Sequence, residues 1–73
     1  MATKFNYSKL KGRIVEKYGF MRAFVKELPF TDMAMANKMQ GRTAFKNDEI
    51  VLMARLLEIP KEEITDYFFC VED

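Results

Sequence analysis

Apolar residues recur along this chain at helical spacing. Leu10 and Ile14, with Val15 beside them, mark the inner stripe of a first helix. That helix opens near Asn6 or Ser8, both competent N-caps, and runs to Tyr18 before Gly19 stops it. Phe5 folds onto the stripe from the N-terminal side, and Gly12 weakens the helix by roughly 1 kcal/mol relative to alanine. Lys9, Lys11, Arg13 and Lys17 are too many cations for a buried surface.

The stretch from Phe20 to Gly41 predicts two short helices, about 20–28 and 32–40, joined by a three-residue corner. Phe24, Val25 and Leu28 give the first its apolar face, and Pro29-Phe30 breaks it. Thr31 restarts the helical pattern as an N-cap whose hydroxyl accepts from a free backbone N–H one turn in. Asp32 in the first turn suits the helix dipole. Met35 and Met39 fall four apart on the inner face, Met33 lies on the outer one, and Gly41 stands where a left-handed stop belongs.

Phe45 anchors the following loop. Asn47 is expected to cap a fourth helix, with Asp48 and Glu49 in its first turn and Ile50, Ala54 and Leu57 on its buried face. Ile59-Pro60 ends it, because the residue before proline is pushed out of helical geometry. A fifth short helix starts around Pro60–Glu63 and buries Ile64. The predicted core is Phe24, Leu28, Met35, Ile50, Ala54, Leu57 and Ile64. The tail Tyr67, Phe68, Phe69, Cys70 and Val71 is apolar and β-prone. It either caps its own core or serves as a homodimer contact through Tyr67, Phe68, Phe69 and Val71. Cys70 is expected to be a small, partly buried apolar residue.

Composition narrows the function. Seventy-three residues make a single domain, 1–73, burying about 60% of its unfolded surface. No run of about 20 apolar residues exists to span a membrane, and MATKFNYSK lacks the apolar core of a signal peptide. With one cysteine, this places the chain in a cytoplasm, without an internal disulfide. The chain has no histidine, the commonest general base and metal ligand. The expectation is therefore no enzyme, no catalytic residue, no metal, no cofactor and no small-molecule substrate.

Charge adds a direction. Residues 1–46 hold ten Lys or Arg and three Asp or Glu (+7), and residues 47–73 hold two and eight (−6), summing to the net +1. Such polarity suggests one face made for a polyanion and another turned away from it.

The segments FNYSKLKGRIVEKYG and NDEIVLMARLLEIPKEEITDYFF, with the Gly41-Arg42 loop between them, resemble the small Cro-like and repressor-like helix-turn-helix regulators of temperate phages, especially short ones from Gram-positive hosts. The resemblance implies an all-α, five-helix, lambda-repressor-like fold whose second motif helix lies in the major groove, here in the cytoplasm of a bacterial host. Several positions depart from the family's pattern. Met21 stands where a phosphate-holding glutamine is usual, Val25 where alanine lets the motif helices cross, and Pro29 where glycine turns the corner. The base-reading positions become Asp32, Met33 and Asn37, of which Asn37 suits adenine and Met33 a thymine methyl.

Two functions follow from one face. Thr31, Asp32, Met33, Ala36, Asn37, Lys38 and Gln40, with Arg42, Thr43 and Lys46 of the loop, form either a surface for double-stranded operator DNA or a dock for a phage repressor protein. Lys38, Arg42 and Lys46 are then phosphate clamps or solvated charges. Met33 beside Ala34, Ala36 and Asn37 makes a low-charge surface better suited to a protein.

Overall fold

The computed structural model describes residues 5–71, so the first four residues of MATKFNYSK, the segment read above as lacking an apolar leader core, lie outside it, as do Glu72 and Asp73. The described residues form five α-helices: α1 Ser8–Tyr18, α2 Met21–Val25, α3 Asp32–Met39, α4 Asn47–Leu56 and α5 Ile64–Phe68. A 3-10 turn, Lys61–Glu63, leads into α5. The all-α, five-helix class expected from the spacing is the class the chain adopts. α1 packs on α2 and on α5, and α2 packs on α3.

Most helix boundaries have a local cause. Asn6 Oδ1 accepts the Ser8 N–H at 2.8 Å, and Gly19 at φ 86° lets the chain turn off the end of α1. α2 is regular only to Val25, shorter than the expected 20–28. Beyond it, Glu27 N–H donates to Phe24 and Leu28 N–H to Val25, two tightened i→i−3 turns. Pro29 forces this, since its ring disfavours α geometry at Leu28. The corner turns without any positive φ, as a proline there requires. Thr31 caps α3 as expected, its hydroxyl accepting the Ala34 N–H at 3.2 Å. At the other end Gly41 sits at φ 82°. Its N–H reaches the Lys38 carbonyl at 3.1 Å, and the Arg42 N–H reaches Asn37 at 2.9 Å. This paired closure satisfies two terminal carbonyls and uses the left-handed backbone glycine permits.

α4 starts differently from the expectation. Lys46 is the N-cap residue and Asn47 is already helical. The Glu49 carboxylate reaches back to the Lys46 N–H at 2.9 Å, so an acid inside the first turn does the work assigned to Asn47. The far end closes over Glu58 at φ 54°, with the Ile59 N–H on Ala54 at 2.8 Å. Arg13 of α1 caps that end from outside, its Nε donating to the Leu57 carbonyl at 2.9 Å.

One apolar cluster fills the interior: Leu10, Ile14, Phe24, Val25, Met35, Ile50, Met53, Ala54, Leu57, Ile59 and Phe68. Five of the seven predicted core residues belong to it. Leu28 and Ile64 are only half-buried against its rim, as is Met39, while Val15 is exposed. Phe45 is the loop anchor expected, meeting Tyr7 and Phe68 edge-on at centroid distances of 5.4 and 5.6 Å. The tail takes the first course offered for it and closes on its own chain. Phe68 enters the core and Tyr67 is half-buried beneath the Lys9 ammonium. Val71 then forms a single antiparallel bridge with Phe5, and Asn6 N–H donates to the Cys70 carbonyl at 2.7 Å. That pairing holds the backbone and leaves Phe69, Cys70 and Val71 exposed, so Cys70 is not the partly buried residue expected.

The strongest departure is Lys38. Read as either a solvated charge or a phosphate clamp, it is 8% exposed. Its Nζ lies 3.0 Å from the Glu49 carboxylate, donates to the Ala44 carbonyl at 3.1 Å, and sits 5.3 Å from the Phe30 ring centroid. A buried ammonium is tolerable only with such partners. Burial pushes the Glu49 carboxyl up. The Lys46 N–H, the Lys38 hydrogen bond and the charges of Lys38 and Lys46 outweigh that and hold its pKa below the ordinary value.

Three outcomes follow for stability. Leu57→Ala, at a fully buried position, should cost about 2–5 kcal/mol in urea unfolding, and a loss below about 1 kcal/mol would contradict this core. Lys38→Ala should cost about 3 kcal/mol, and Lys38→Met combined with Glu49→Leu should recover most of it, because no buried charge is then left alone. Because the Glu49 pKa is depressed on folding, its stabilisation is complete above the ordinary 4.5 and is lost as pH falls through the lower folded-state value. Glu49→Gln should therefore be less stable than wild type at neutral pH and should lose less on acidification.

Candidate functional site

α3 presents two exposed lines of residues at helical spacing. Asp32, Ala36 and Gln40 form one, and Met33 and the half-buried Asn37 form the other. Met33 is 75% exposed, more than any other large apolar side chain among the described residues. Thr31 is exposed but its hydroxyl is committed to the cap. Asn37 Oδ1 accepts from Arg42 Nη1 at 3.4 Å, which ties the amide suited to adenine to its own loop. Arg42, Thr43 and Lys46 are exposed just beyond the end of α3.

The electrostatics of this face are set by what α3 keeps inside. With Lys38 turned in against Glu49, Asp32 is the one charge on the exposed part of α3, and Arg22 of α2 faces it at 3.6 Å. The structure brings together Asp32, Met33, Ala36, Asn37 and Gln40 on the outside of one helix, with Arg42, Thr43 and Lys46 at its end. It removes Lys38 from that set. Of the four tail residues, Phe68 is enclosed by its own core, so Phe69 and Val71 are the apolar side chains still open to a partner.

A groove of about 750 Å³ runs along the inner edge of this face. It is lined by Asp32, Ala36 and Gln40 from α3 and its end, by Phe5 and Tyr7 from the N-terminal segment, and by Met21, Met35 and Met39. Burial raises the Tyr7 pKa, so its phenol stays neutral. Lys11 and Arg22 border the groove. Reasoning from the sequence missed it, because the N-terminal segment, α1 and α2 meet α3 only through the fold. The methionines, spaced four apart at Met35 and Met39, were the available signal.

Among the described residues no group of His, Cys, Asp or Glu has the arrangement to hold a metal ion, and no helix is long and apolar enough to cross a membrane.

No curated protein matches the chain. Among solved structures it is similar to the solution structure of the modulator of repression (MOR) of the temperate bacteriophage TP901-1 from Lactococcus lactis. The two are 31% identical, with a TM-score of 0.78 over 89% of this chain and 88% of that one. That neighbour is a phage regulator, and the resemblance in fold extends over nearly the whole length of both. Matched over residues 1–71, the chain belongs to the family described as "Protein of unknown function (DUF739)", and within it has the form of a phage regulator.

Proposed function

We propose that this protein is a modulator of repression in a phage genetic switch, acting in the host cytoplasm by docking the outer face of α3 onto a repressor protein. The observation that carries this reading is the chemistry of that face. Met33 is 75% exposed between Ala36 and Asn37, and the helix's own lysine is buried against Glu49. A surface that must grip DNA gains most of its affinity from cations on phosphates. Here the exposed part of α3 carries only Asp32, which phosphates repel. An apolar, low-charge stripe with a central methionine is instead what a protein interface uses at its middle. The similarity to a modulator of repression supports the same choice.

Operator DNA is the second reading, favoured by one feature: Arg42 and Lys46 are exposed at the C-terminal end of α3, where they can clamp a phosphate backbone. The two readings separate in one titration series. Wild type should bind the purified repressor, and Met33→Lys should weaken that binding by about 2 kcal/mol or more, because an ammonium then enters an apolar contact. Neither form should bind operator DNA tightly alone. Tight, salt-steep DNA binding by wild type, with the slope reduced by about one unit in each of Arg42→Ala and Lys46→Ala, would overturn the proposal.

A further inference from the structure

The groove beside α3 has a chemistry of its own. Its lining includes the half-buried Met21 and Met39, with the core residue Met35 behind them, a polarisable surface that adapts to varied apolar shapes. Along it, Asp32, Ala36 and Gln40 span two helical turns, roughly 12 Å. That is the length over which a second helix presents an i, i+3/i+4, i+7 apolar ridge.

The charge around it selects the occupant. α1 carries four cations. Lys9 faces Asp66, Arg13 faces Glu16 and Lys17 faces Glu58. Lys11 alone has no carboxylate within ion-pair distance among the described residues, and it is the α1 cation on the groove. Arg22, the second cation there, meets Asp32 only at 3.6 Å with both side chains largely exposed. The border is thus net positive, with one ammonium unsatisfied.

On the reading that the protein docks on a repressor, we infer that this groove receives an amphipathic helix of that repressor, its apolar ridge on the methionine lining and its flanking carboxylates against Lys11 and Arg22. The outer stripe with Met33 then forms one part of the interface and the groove the other, continuous through Ala36. Lys11 selects acidic over basic segments through charge, a contribution that salt weakens.

Methionine-methyl-labelled protein titrated with the purified repressor of the same switch tests this. The Met21 and Met39 methyls should shift together with Met33, while Met53, sealed in the core, stays in place. Lys11→Glu should weaken binding tenfold or more and Lys11→Gln by less, with the loss largest at low salt. Lys11 is exposed on α1, and unchanged thermal unfolding of both variants confirms that the fold is kept. Repressor binding that shifts Met33 alone and ignores Lys11→Glu would overturn the groove while leaving the proposed function standing. Tighter binding by Lys11→Glu would mean a basic occupant and equally overturn it. Groove methyls that shift on self-dilution without repressor would assign the groove to a second copy. A repressor that does not bind at all removes both proposals.

Discussion

The contact between Lys38 and Glu49 joins α3, the loop after it and the start of α4. Lys38 belongs to α3 and Glu49 to the first turn of α4, and the Gly41–Lys46 loop passes between them. One ammonium satisfies the Ala44 carbonyl of the loop and the carboxylate, and lies over Phe30. One carboxylate satisfies that ammonium and the Lys46 N–H. Buried ion pairs are poor sources of net stability, since desolvation consumes most of the attraction. Their better use is registry. Here the pair ties α3 to the first turn of α4, with Lys38 and Met35 both on the inward side of α3.

With Lys38 inward, the outward side of α3 carries little charge. Met33, Ala36 and Asn37 lie outside, with Asp32 as the remaining charge. The polarity of the whole chain is redirected in the same way. The basic first half and acidic second half meet within the molecule at Lys9–Asp66, Lys17–Glu58 and Lys38–Glu49. The first two are exposed pairs worth little energy, yet they lower the positive field that a polyanion would meet. Charge polarity read along a sequence thus overstates the polarity of the folded surface.

Most of the helical frame was legible because its signals are local. Thr31 announces the start of α3, Gly41 its end, and Leu10, Ile14, Ile50, Ala54 and Leu57 their buried faces, through hydrogen bonds and spacing within one or two turns. The differences arise where a distant partner decides. Asn47 loses the capping role because Glu49 is already held near Lys46 by Lys38. Lys38 looks like any surface lysine until the fold brings Glu49 of α4, Phe30 before α3 and Phe45 of the loop around it. Val15 and Val25 sit on helices of similar pattern, yet only Val25 is buried, because α2 is enclosed by its neighbours while that side of α1 is not. The groove was not legible at all, since its walls come from segments about thirty residues apart that no local pattern links.

The central claim is that α3 exposes no cation of its own because Lys38 is sequestered. The direct measurement is site-resolved acetylation of the native protein with a small amine-reactive reagent, followed by peptide mass analysis. Lys11, Lys26 and Lys46 are exposed and should be modified rapidly, and Lys38 should lag them by at least tenfold until Glu49→Gln or denaturant releases it. Modification of Lys38 at the rate of those three would place its ammonium on the surface and contradict the account.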